Sequence, residues 1–404
     1  MPRVVGASLA AVAVMCMPAA TVQAWVYDWN NVSGGSMNNV ANWTATPPGA
    51  PAIPGLGDDA IFNIAVTGGP VTGTLSPSRV MVGEGWRGMP PNPTADVDLS
   101  GSGTSITLPE WGYLLVGHDD TEDADVVVGD LNILNSAAVT GEAFGSIGWK
   151  TGATGTVTVN DATLTLGKHI DVGRDGGDGT VNVLNGATLT GGAMYIGNAD
   201  DTEDGLNLGN VGVGHLTVDA TSSLTLNGWT PGPLVDILAI GLRGGTGSAR
   251  IDGTAAVGDI LVDWDDDGVG DATGSLAVGV GADIDGNLLD LGDDATLTFD
   301  LGSLGASGDL DVTGGLSLDG ILNLDLLDGQ LLGGDYTLAT GTVSGAFSSV
   351  YYEGALVSNP TDWGSIGSTH RLKYYSDHVA LIVPEPGAMA LLGLGALALM
   401  RRRR

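Results

Sequence analysis

Gly155-Thr156-Val157-Thr158-Val159-Asn160-Asp161-Ala162-Thr163-Leu164-Thr165 reappears, with small changes, as Gly179-Thr180-Val181-Asn182-Val183-Leu184-Asn185-Gly186-Ala187-Thr188-Leu189-Thr190. The offset of about two dozen residues is one that solenoid repeats use. A third short segment ending in glycine follows each copy, Ile170-Asp171-Val172-Gly173 and Met194-Tyr195-Ile196-Gly197. Each unit therefore reads as three strands and three turns. Looser copies precede these two at Leu114-Leu115-Val116-Gly117, Val126-Val127-Val128-Gly129 and Leu131-Asn132-Ile133. Others follow at His215-Leu216-Thr217-Val218, Ile237 to Gly241, Ser275-Leu276-Ala277-Val278, Ala295 to Phe299 and Leu316-Ser317-Leu318.

Within each strand apolar residues alternate with Thr, Asn or Asp, which buries one face and wets the other. Val157, Val159, Leu164, Val181, Val183 and Leu189 are expected to point inward. A unit this short cannot bury its apolar face alone, so successive units must stack. The expected fold is all-β: a parallel β-helix, or solenoid, of about eight rungs, about 40 Å long at roughly 4.8 Å per rung. An antiparallel sandwich is the rival; it repeats strand length and hairpin turns, whereas here the sequence itself repeats.

The chain carries a formal charge of −33, with 47 acidic against 14 basic side chains. Such a field disfavours nucleic acid and acidic lipid as partners and favours cations. Acidic, aromatic-poor sequence can also mean disorder, but 43% hydrophobic residues argue for a buried core. With 67 glycines set between regular Val, Leu and Ile, many short strands and tight turns are expected.

The solenoid is expected over 111–330, between an N-terminal cap with the first strands at 25–110 and a C-terminal β cap at 331–383. Trp25, Tyr27, Trp29 and Trp43 crowd the first of these, and Gly57-Asp58-Asp59-Ala60-Ile61-Phe62 leads into the stack. This opening resembles that of autotransporter-like repeat proteins. The aromatic cluster reads as cap packing, with sugar stacking as the alternative.

Residues 1–24 have the three parts of a secretory signal peptide: Arg3, an apolar core from Val4 to Met17, and the small-residue cleavage site Val22-Gln23-Ala24. Signal peptidase is expected to leave Trp25 as the first mature residue. Cys16, the only cysteine, would depart with the core; a lipoprotein cysteine is the alternative. Disulfides then cannot supply stability, even in an exported setting.

At the other end stand Pro384-Glu385-Pro386, an apolar run from Gly387 to Met400, and Arg401, Arg402, Arg403 and Arg404. As a helix the run reaches only about 21 Å at about 1.5 Å per residue, short of the roughly twenty residues of a stable span. The arginines hold their end in the cytoplasm. This segment, 384–404, resembles the PEP-CTERM sorting signal, recognised by a membrane peptidase called exosortase. The resemblance implies a Gram-negative bacterium with an exopolysaccharide system, transient inner-membrane anchoring by a short transmembrane helix, cleavage near the motif, and delivery to the cell surface or matrix.

One loop carries a chemical pattern. Asp263, Asp265, Asp267 and Asp271, with Gly268 between them and Val269 offering its carbonyl, follow the order of a calcium loop. Gly274 stands where the usual bidentate glutamate would be. Ca²⁺ is the expected cofactor; a solvated acidic turn is the alternative. Among bases, Lys150, Lys168, His169, Arg174 and Arg243 are nearly the only candidates for chemistry on an outer face, none within a known catalytic motif, and Arg174 beside Asp171 reads as an ion pair. The sequence thus points to a non-enzymatic exported rod associated with matrix polysaccharide or adhesion. The alternative is a polysaccharide lyase or glycosidase on a parallel β-helix.

Overall fold

Thr156, Thr158 and Asn160 stay partly exposed while Val157 and Val159 between them are fully buried, because a strand sends successive side chains to opposite faces. The same alternation runs through the chain's computed structural model, which describes residues 25–46, 48, 53–85, 93–119, 126–199, 211–228, 236–264, 272–302, 307–327, 334–357, 363–366 and 370–383. The expected signal peptide at 1–24, the apolar run and the arginine tail lie outside the described residues. All six residues expected to point inward are at most 1% exposed.

Repeats stack in register and in parallel. Val157 sits on Val181 and Val181 on Leu216; Leu164 sits on Leu189 and Leu189 on Leu224; Val172 sits on Ile196 and Ile196 on Ile240. Three columns of aliphatic side chains thus meet on one axis and merge into a continuous core from Tyr27 to Val383. Each such side chain contributes roughly 1.5–3 kcal/mol. That gain accrues only when a neighbouring coil covers it, so the stack and not the single unit is stable.

The coil has three faces but only two sheets. The first face, which includes Ala153–Asn160 and Asp178–Leu184, belongs to a thirteen-stranded sheet in which every pairing but the last is parallel. The second and third faces share one sheet, because strands such as Thr163–Arg174 and Thr188–Asn198 bend between them without breaking, with a register shift between Leu166 and His169. The expected second turn is therefore a bulge. Parallel pairing on the first face extends from Gly35–Ser36 to Ser349–Tyr352. The parallel ladder thus runs past both ends of the expected 111–330, because short strands such as Val71–Thr72 lack the Gly-Thr-Val pattern by which copies are recognised.

Glycine makes the sharp corner from the third face to the next coil. Gly117, Gly148, Gly173, Gly197 and Gly241 all have φ between 61° and 69°, a left-handed backbone natural to glycine. A second glycine column packs against it: a Cβ on Gly179 would lie 2.2 Å from the Gly173 nitrogen.

Both ends turn antiparallel. Val26–Trp29 lies parallel to Asp59–Phe62 but antiparallel to Trp43–Thr46. Trp29, Trp43 and Phe62 meet there with ring centroids 5.0 to 5.5 Å apart. All three are buried, which closes their faces to sugar. At the far end Gly334–Gly345 pairs antiparallel with His378–Val383, as does His370–Tyr374.

Candidate functional site: the third face and its corner

In-register stacking places residues from distant repeats side by side on the outer surface of the third face. Immediately after the glycine corner, one column reads Glu84, His118, Trp149, Arg174, Asn198. His118 Nδ1 lies 2.8 Å from a Glu84 carboxylate oxygen, and both side chains are buried. The Trp149 ring packs 4.6 Å from His118 and donates its Nε1–H to Asp175 at 2.7 Å. The Glu84–His118 pair escapes a linear reading of the sequence. Its only signal is that both residues follow the corner glycine of their coil.

One coil collects most of the bases singled out from sequence. Arg174 donates to Asp171 at 3.3 Å and lies over the Trp149 ring at 5.2 Å, and His169 Nε2 is 3.4 Å from the same carboxylate. The expected Arg174–Asp171 ion pair is thus present. Burial works to raise the Asp171 carboxyl, but the hydrogen bond from His169 and the charge of Arg174 outweigh it and hold it below the ordinary carboxylate range. Lys150 stands one coil earlier, its backbone N–H bonded to the Arg174 carbonyl, and the Arg243 N–H makes the equivalent bond to the Trp264 carbonyl.

Where the second face bends into the third, aromatic rings climb from coil to coil. Tyr113 stacks on Phe144 with centroids 5.2 Å apart and planes 23° from parallel; Phe144 meets His169 at 4.7 Å, and His169 meets Tyr195 at 5.8 Å. Trp111 flanks the stack 5.9 Å from Phe144. The buried Lys168 places its ammonium 3.4 Å from the Trp111 ring centroid. Trp111 is 56% exposed and Tyr113 39%. Trp111 also has φ 67°, an outlier for a bulky residue that costs roughly 1–2 kcal/mol. A desolvated cation–π contact of about 2 kcal/mol offsets that strain.

The second face beside this corner carries hydroxyls in register. Thr107, Thr140, Thr165, Thr190 and Thr225 form one column over five coils, none of them buried. Aspartates take over only further along, where Asp283 and Asp285 pair with Asp309 and Asp311.

The last described strand, His378–Val383, ends on Val383, which is buried and pairs with Gly334. Pro384 follows directly in the sequence. Residues 383–404 match the PEP-CTERM protein-sorting motif. The PEP-CTERM motif marks an exported protein processed by exosortase, and here it begins on the last residue of the last described strand. Pro384, Glu385, Pro386 and Arg401 to Arg404 lie within it but outside the described residues; at the other end Ala24 is also outside them, and Trp25 packs partly buried against the core. Neither a curated protein nor a solved structure matches the chain.

Of the expected calcium ligands only Asp263 falls among the described residues; Asp265, Asp267, Val269 and Asp271 do not. Val262 stacks on Ile240, so Asp263 stands where the preceding coil has Gly241. Its φ of 61° is the corner value, which aspartate tolerates better than most residues. Its carboxylate is buried and accepts the Asp294 N–H at 2.9 Å. Asp263 therefore ties two coils together whatever the loop beyond it binds. Among the described residues no cluster of three His, Cys, Asp or Glu is placed to hold a metal, and no helix is long and apolar enough to cross a membrane.

Proposed function

We propose that the mature chain is a non-enzymatic rod of the cell surface or extracellular matrix, associated with exopolysaccharide. The observation that carries this reading is that the PEP-CTERM motif begins on the last residue of the antiparallel strand His378–Val383, which closes the far end of the parallel stack. A stack of this kind is a stiff spacer, and its large excess of acidic side chains keeps it soluble and apart from its copies. The cations on the third face serve structure: Arg174 and His169 hold Asp171, and Lys168 holds Trp111. Replacing Pro384 and Glu385 by alanine should leave uncleaved precursor in the inner membrane, seen by fractionation and mass. Mature protein of unchanged mass at the surface would refute the sorting step. Retention of the secreted protein by cells that make exopolysaccharide, and its loss from cells that do not, tests the association.

The His169–Asp171–Arg174 group keeps a lyase or glycosidase as the second reading. A turnover assay on acidic and neutral polysaccharides separates the two, with product formation favouring the enzyme.

The acidic insertion from Asp263 to Asp271 is proposed as a Ca²⁺ site. Clustered carboxylates repel one another, and a cation would reverse that repulsion. Occupancy at a hundredfold excess over Kd would stabilise the fold by about 2.7 kcal/mol. Calorimetric titration should give heat with the natural chain and none with the Asp265→Ala, Asp267→Ala variant; equal heats would leave a solvated turn.

A further inference from the structure

We infer that Trp111 and Tyr113, with the threonine column beside them, form a docking track for an uncharged polysaccharide strand lying along the solenoid axis. This rests on the polysaccharide-associated reading above and places its contact on one corner of the rod.

Three independent features converge. Trp111 and Tyr113 are the aromatic side chains among the most exposed large apolar residues described, and they sit together. Among the described side chains no other aromatic ring is as exposed as these two, and Trp29, Trp43 and Phe62 are buried. Next, both rings are held still before any ligand arrives. Lys168 lies 3.4 Å from the Trp111 ring centroid and Phe144 stacks on Tyr113, so little side-chain freedom remains to be lost on binding. The left-handed backbone at Trp111 points the same way, since strained residues persist where a site requires them.

The third feature selects the ligand. Exposed aromatic faces suit the apolar C–H face of a pyranose ring, and the five threonines add hydroxyls that repeat once per coil. A partner matching both is polyhydroxylated, repetitive and long enough to cross several coils. It is also uncharged, because the threonine column carries no cation and a polyanion would be repelled by so acidic a rod.

Affinity electrophoresis of the full chain through gels containing hydroxyethylcellulose, galactomannan or alginate tests the track. At least one neutral polymer should retard the protein, and alginate should not. Trp111→Gly with Tyr113→Ala should weaken that retardation about tenfold, the loss expected for one or two stacked rings, and Thr165→Ala with Thr190→Ala should weaken it less. Glycine suits the left-handed backbone, and the strain it relieves offsets the lost Lys168 contact, so the melting temperature of Trp111→Gly should stay close to that of the natural chain. Tyr113→Ala alone serves as the second variant should the pair fold poorly. Undiminished retardation in both aromatic variants would remove this corner from the binding surface while leaving polysaccharide association standing. Retardation by neither neutral polymer, or equally by alginate, would overturn the inference.

Discussion

Val181→Asp is expected to cost several kcal/mol and to lower the melting temperature sharply, whereas Thr180→Asp one residue away should change it little. Val181 is 1% exposed and is stacked between Val157 and Leu216. Every neighbour it meets on the axis is aliphatic, so a carboxylate there has no partner and must unfold its surroundings or take up a proton. Thr180 points outward between Thr156 and His215, where water solvates a charge. Thermal melts of the two variants at neutral pH make the comparison, and equal shifts would contradict the assignment of faces. Because coils stabilise one another only through contact with their neighbours, the damage from Val181→Asp should spread along the rod and blunt its cooperativity.

Gly173→Ala is expected to destabilise by at least about 4 kcal/mol, an exceptional value for so small a change. The added Cβ would lie 1.8 Å from the Val213 carbonyl oxygen and 2.2 Å from its carbon, both backbone atoms of the next coil. Nothing flexible can move aside, and φ is 68° besides. Gly186→Ala is the control, since that residue has φ 79° and a Cβ added there would meet nothing within 4 Å. It should lose only the left-handed backbone penalty of roughly 1–2 kcal/mol. Chemical denaturation of both variants separates the two effects, and a Gly173→Ala loss no greater than that of Gly186→Ala would show that the corner columns are not in contact.

Several parts of the molecule were open to reading from sequence because the signals are local. Alternation at Val157, Val159, Val181 and Val183 reports the buried face directly, since two residues is the period of a strand. Repetition at a fixed offset reports stacking, since a coil that cannot bury its own face needs a like neighbour. The sorting motif is legible for another reason: it is recognised as a linear segment, so its chemistry does not depend on folding. The ends of the parallel ladder were less legible. Strands such as Val71–Thr72 pair in the ladder without keeping the repeat's residues, because the ladder bonds are made by backbone groups that any residue supplies.

Asp263 shows what a linear pattern hides. Read along the chain it opens a calcium loop; read across the coils it fills the place of a corner glycine and bonds the backbone of Asp294. Tyr113, Phe144 and His169 sit on three separate coils and become one stack only through register. Glu84 and His118 likewise meet because each follows its corner glycine.

By itself, the sequence determined the export and sorting of this protein, its all-β repeating character and the identity of its buried face, since each is written in residues near one another. Tertiary structure alone decided which outer residues share a surface. That depends on how many residues each turn consumes before the next coil begins, and insertions of unequal length between repeats make the number different at every corner.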